Sequence, residues 1–185
     1  MYHVIYDFTV RARMRGLLVF LLSFSLAEGK LVSKCDLRDL LMIPIGTLMD
    51  MTGKGGPQVE NKVAQIVCFV EFASGNDTTA VNRRPPPRSS TQHEEEDWTL
   101  YGLFQLSSKV VCKDDHTNSL NFCEMDCTKL LDDDISDDIT CLLKILTKIR
   151  EEGLSMSQDL QKMVRLIFHG ECKDKKALDY FSDCL

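Results

Sequence analysis

Five aspartates fall within seven residues of the run Lys129-Leu130-Leu131-Asp132-Asp133-Asp134-Ile135-Ser136-Asp137-Asp138-Ile139. Carboxylates this close repel one another, and a bound hard cation would relieve the repulsion. Calcium takes six to eight oxygens from carboxylates and backbone carbonyls, and a tight acidic turn supplies both. The spacing is not that of an EF-hand. With Asp132 as first position, Asp137 stands sixth, where glycine is needed, and Leu143 twelfth, where glutamate is needed. The other reading of the run is a solvated acidic face at the start of the following helix.

Cysteines are the second set of groups with chemistry: Cys35, Cys68, Cys112, Cys123, Cys127, Cys141, Cys172 and Cys184. In a secreted chain an even number implies disulfides, and eight thiols allow 105 pairings, among which spacing does not choose. Zinc is the rival use of thiols. However, no CxxC pair occurs, and His93, His116 and His169 stand at no ligand-like spacing from the cysteines.

Secretion is itself legible near the N-terminus. Arg15 precedes the apolar run Gly16 to Leu26, and Ala27-Glu28-Gly29 follows before Lys30. A basic residue, a short apolar stretch and small residues describe a signal peptide cut after Gly29. The run is short for a bilayer span, which needs about 20 apolar residues. A buried N-terminal helix is the alternative. Residues 1–13 lie upstream as an extension, so the expected organisation is a leader at 1–29 and one domain at 30–185.

The 185 residues carry a net charge of −6, with 44% apolar and 27% charged residues. Such a composition is that of an ordinary globular protein and not of a disordered one. An acidic balance argues against nucleic acid, whose non-specific binding rests on clustered Lys and Arg.

The elements that must position these groups follow from periodicity. Leu37, Leu40 and Leu41 begin a helical pattern that Pro44 and the stretch 52–57 interrupt. A second helix is expected from Val59, with Val63, Ile66, Val67 and Val70 on one face, closing before Ser74-Gly75. Residues 76–97 read as turn and loop, with a Pro-containing insertion at about 83–99. The stretch Trp98 to Leu106 has the content of a strand or hairpin arm. Ile135, Ile139, Leu142, Leu146 and Ile149 form a helical stripe, and 158–168 and 177–181 are further helices. Helices around a small β segment give an α+β fold. Asn76-Asp77-Thr78 is an N-glycosylation sequon.

The spacing Cys123-x3-Cys127-x13-Cys141 around KLLDDDISDDI, preceded by YGLFQLSSKVVCK, resembles the lysozyme c/α-lactalbumin family. The resemblance implies a helical lobe beside a small β-lobe, with bridges Cys35–Cys184, Cys68–Cys172, Cys112–Cys127 and Cys123–Cys141. It also implies a calcium site in which Asp132, Asp137 and Asp138 give side-chain oxygens and Lys129 and Asp134 give backbone carbonyls.

Lysozymes of this family are retaining-type glycosidases that need one protonated and one ionised carboxyl. Carried onto this sequence, those two positions are Ala73 and Leu100, so the resemblance implies a protein that is not an enzyme. A muramidase working through Glu71 and Asp97 is the fallback, although Glu71 points roughly 200° around its helix from position 73. In Ser74-Gly75-Asn76-Asp77-Thr78 and Tyr101-Gly102-Leu103-Phe104-Gln105 the sequence resembles the α-lactalbumin branch of the family more closely than most lysozymes. That branch implies a secreted, monomeric milk protein that binds β-1,4-galactosyltransferase and helps it hold glucose for lactose synthesis. The partner surface would then involve Phe72, Tyr180 and Phe181. The runner-up is a non-catalytic, calcium-binding lysozyme-like protein, which the Cys172-x11-Cys184 spacing resembles more closely.

Overall fold

The computed structural model describes residues 30–50, 53, 55–84, 98–167 and 170–184. The expected leader, Asp97, His93 and His169 lie outside them. Along the described residues run α1 (Lys34–Asp50), α2 (Pro57–Ser74), β1 (Val81–Arg84), β2 (Trp98–Tyr101), β3 (Leu106–Ser107), α3 (Ser136–Glu152), α4 (Gln158–Ile167) and α5 (Ala177–Tyr180). Short 3-10 turns at Cys127–Leu131, Gly153–Ser155 and Gly170–Cys172 join them.

Helix α2 is the central element. Pro57 opens it, and it closes on Gly75, whose left-handed φ of 65° lets its N–H reach the Glu71 carbonyl. Val59, Val63, Ile66, Val67, Val70 and Ala73 are all buried. Each fully buried Val or Ile contributes about 1.5–3 kcal/mol relative to exposure.

Helix α1 packs on α2 and runs straight through Pro44, where the sequence pattern suggested an interruption. Proline in a helix interior costs about 3 kcal/mol. Leu41 and Ile45, fully buried on either side of Pro44, hold the helix against the core despite that cost.

The three strands form an antiparallel sheet in the order β1-β2-β3. Val81 faces Tyr101, Arg84 faces Trp98, and Leu100 faces Ser107. β1 occupies residues expected to be loop, and the ends of the expected insertion, Arg83-Arg84 and Trp98-Thr99, are ladder partners. Trp98 is a buried core residue.

The segment after α4 folds back along α1 and α2. Lys34 Nζ is 2.6 Å from Asp183 and donates to the Tyr180 carbonyl, and an Arg38 guanidinium N–H donates to the Cys184 carbonyl. Asn61 accepts the Ala177 N–H at 2.9 Å, and Gln65 donates to the Lys173 carbonyl at 2.6 Å. Four disulfides join Cys35 to Cys184, Cys68 to Cys172, Cys112 to Cys127, and Cys123 to Cys141. Removing one such bridge from a small domain typically costs 2–5 kcal/mol.

Candidate functional site

The expected site residues fall in the acidic loop before α3, at the junction of α2 with the sheet, and along the C-terminal segment. The bridges from Cys127 and Cys141 hold the loop at both ends. The 3-10 turn Cys127–Leu131 lifts Lys129 to the surface and buries Leu130, and the chain then extends through Asp132 into α3.

Within the loop each carboxylate has a distinct task. Asp132 Oδ1 accepts the Asp134 N–H at 3.0 Å, while its other oxygen is 3.7 Å from Lys129 Nζ. Asp134 accepts both the backbone N–H and the hydroxyl of Ser136, which hold its carboxyl below the usual range. Asp137 accepts the Asp138 N–H at 3.1 Å. Asp133, not among the expected ligands, accepts from the buried Thr78 hydroxyl at 3.4 Å and so ties the loop to the start of the β-lobe.

Asp138 differs from the rest. Its side chain is 1% exposed, and its Oδ2 is buried without a hydrogen-bond partner. Burial, then the neighbouring Asp137 and Asp132, push its carboxyl up to about 8. A buried, unpaired carboxylate oxygen beside other acids is costly unless a cation or proton satisfies it. The site therefore fits a hard cation, and the acceptor-only donor set suits calcium. Among the described residues no three His, Cys, Asp or Glu side chains converge as a metal cluster. Backbone carbonyls would have to complete the shell.

Sequence reading passed over the residue that packs this loop. Gly102, at φ 68°, lies so close to the Leu130 carbonyl that a Cβ there would overlap it, and that Cβ would stand 3.3 Å from Asp138 Oδ1. The β2–β3 turn thus presses directly on the loop, and the glycine in Tyr101-Gly102-Leu103, a residue free to take positive φ, was the available signal.

At the second region Ala73 and Leu100 are both buried and apolar. Asn82 lies opposite Leu100 in the sheet, and its side-chain amide donates to the Ala73 carbonyl at 3.1 Å and to Gln105 Oε1 at 2.7 Å. Gln105 is itself buried and donates to the carbonyls of Ala80 and Gly102. The polar groups between the two positions satisfy one another as neutral amides. Glu71 is directed elsewhere, accepting from the Tyr180 hydroxyl at 2.6 Å.

Of the three expected partner-surface residues, Phe72 is 72% exposed and Tyr180 is half-buried. The Tyr180 ring has Lys34 and Lys175 ammonium groups at 5.3 and 5.8 Å. Phe181 does not belong with them. It is 8% exposed and packs into the core, because the C-terminal segment turns its side chain inward beneath Arg38. Asn76 follows the Gly75 cap of α2 with a left-handed φ of 66°.

A model of the C-type lysozyme/alpha-lactalbumin family matches residues 31–166. Lysozyme C of Equus asinus is 34% identical over 155 residues, which cover 84% of this chain and 98% of that protein. Alpha-lactalbumin of Bos taurus is also 34% identical, over 135 residues that cover 72% of this chain and 80% of that protein. Among solved structures, a calcium binding lysozyme from equine milk superposes with a TM-score of 0.53 at 33% identity, covering 84% of this chain and 98% of that one.

Proposed function

The chain belongs to the C-type lysozyme/alpha-lactalbumin family, and from that premise we propose that it is a non-catalytic, calcium-binding, secreted regulatory subunit of lactose synthase. Bound to β-1,4-galactosyltransferase, it promotes glucose as the acceptor of galactose. Lysozymes and alpha-lactalbumins stand at similar identity to this chain, 34% for the former and 34–37% for the latter. The choice between them therefore rests on the site.

The observation that carries the proposal is the pair Ala73 and Leu100, both buried and apolar. Retaining glycoside hydrolysis needs one carboxyl to protonate the leaving oxygen and a second carboxylate to meet the sugar cation. A methyl and an isobutyl group do neither. The neighbouring amides, Asn82 and Gln105, are committed to each other and to carbonyls, and neither titrates. Glu71 is held by Tyr180.

Without hydrolysis, the protein acts by binding. An added wall that favours glucose in the transferase's acceptor site is a coupling between two ligands, typically worth 1–3 kcal/mol, or about 5–150-fold in affinity. Phe72, which is exposed, and the half-buried Tyr180 are the aromatics assigned to such a contact. Calcium would be held by Asp132, Asp137 and Asp138 with the carbonyls of Lys129 and Asp134. It would supply the positive charge that the desolvated Asp138 lacks, keeping the loop folded against Gly102. Support comes from the orphaned Asp138 oxygen and from the calcium binding equine lysozyme among the relatives.

The test is transfer of galactose to glucose by β-1,4-galactosyltransferase with and without this protein, run beside clearing of bacterial cell walls. A second reading, a non-catalytic lysozyme-like protein outside lactose synthesis, is favoured by the inward Phe181. It is the outcome if neither assay responds.

A further inference from the structure

Residues 30–32 pair with 76–78 as a short antiparallel ladder. The Val32 N–H donates to the Asn76 carbonyl at 2.9 Å, the Thr78 N–H to the Lys30 carbonyl at 3.1 Å, and Leu31 bridges Asp77. The ladder lies across the sequon Asn76-Asp77-Thr78. An N-glycosyltransferase must reach both the asparagine amide and the hydroxyl two residues on. In the fold that hydroxyl is out of reach. Thr78 is 1% exposed, its Oγ1 accepts the Lys30 N–H at 3.2 Å, and it donates to Asp133 of the acidic loop. Asp77, between them, is held by the N–H and hydroxyl of Thr79.

Asn76 itself gains little from folding. Its Oδ1 is buried with no hydrogen-bond partner, an arrangement that ordinarily costs stability. Its left-handed backbone is one that asparagine tolerates and glycine would adopt without strain.

We propose that Asn76 is a glycan acceptor in the unfolded chain only, and that closure of the 30–32/76–78 ladder onto the acidic loop ends its modification. The donor is a polyprenyl-pyrophosphate-linked oligosaccharide. Asn76 Nδ2 attacks the anomeric carbon, the C–N bond forms as the C–O bond to pyrophosphate breaks, the amide proton leaves to a base of the transferase, and polyprenyl pyrophosphate departs. Occupancy is then set by a race between glycosyl transfer and folding. Two molecular forms of one chain result.

The proposal uses the expected entry into the secretory lumen, so the experiment reports on that separately. The full chain is expressed in mammalian cells with an unstructured C-terminal tag that bears a second sequon, and glycan number is read by gel shift before and after amidase treatment. The expected result is a fully modified tag, partial occupancy at Asn76 lost in Asn76→Gln, and a severalfold rise when dithiothreitol keeps the cysteines reduced. Val32→Pro, which removes one ladder donor, should raise occupancy in the same direction without reductant. Complete occupancy insensitive to both treatments would overturn the proposal, as would a bare Asn76 in the reduced chain beside a modified tag. A bare tag would overturn it together with the secretory reading.

Discussion

The Tyr180 hydroxyl donates a 2.6 Å hydrogen bond to Glu71 Oε2, across 109 residues of sequence. This bond fixes the one carboxylate of helix α2 near the family's acid position on the side of the C-terminal segment, away from the sheet. Burial, then the Glu71 hydrogen bond and charge, hold the Tyr180 phenol well above its ordinary value.

Tyr180→Phe should cost roughly 1 kcal/mol of stability at neutral pH and create no cell-wall clearing activity. A phenol whose folded-state value is raised stabilises the fold below its unfolded value and loses that contribution as pH rises past about 10. The melting-temperature advantage of the natural protein over Tyr180→Phe should therefore shrink on going from pH 9 into the alkaline range. A constant difference would contradict the bond.

Calcium removal should lower the melting temperature. A ligand at a hundred times its Kd adds about 2.7 kcal/mol, and for a domain of this size each kcal/mol moves Tm by about 2–4 °C. Chelation should thus cost about 5–10 °C, and Asp138→Ala should abolish the difference between chelated and calcium-loaded samples. Equal melts with and without chelator would exclude the loop as a calcium site.

Gly102→Ala should be severely destabilising, by about 2–3 kcal/mol or more, because the methyl meets the Leu130 carbonyl at a backbone conformation L-residues avoid. The damage should extend to the loop: calorimetric titration should find calcium affinity reduced along with Tm. A variant as stable as the parent would show that the turn and loop do not press together.

Thr78→Val removes the hydroxyl that joins Lys30 to Asp133. Loss of about 0.5–1.5 kcal/mol is expected in denaturant unfolding, the net worth of a typical hydrogen bond. No change would mean the N-terminal ladder stands without it.

Local pattern made some of this visible in the sequence and long-range pairing hid the rest. The stripe through Leu142 and Leu146 is legible because α3 has one solvated face, and the same run of aspartates marks the loop. β1 is not, because Val81 to Arg84 has the composition of a loop and becomes strand only by pairing with β2 across the intervening segment. Pro44 points to a break that packing against α2 overrides. Cysteine spacing left the pairing open; the family resemblance supplied it. Phe181 was indistinguishable from Tyr180 by type, and only the folding back of the C-terminal segment separates an inward ring from an outward one. Glu71 and Tyr180 meet through that same packing.

On the proposed reading the protein changes what a galactosyltransferase uses and hydrolyses nothing itself. The direct measurement is the rate of lactose formation by β-1,4-galactosyltransferase from UDP-galactose and glucose in saturating calcium, titrated with the purified protein. A saturable rise of about 5–150-fold in apparent glucose affinity is expected, and Phe72→Ala should weaken it. A glucose rate that stays at the transferase's own level throughout the titration would contradict a lactose synthase role.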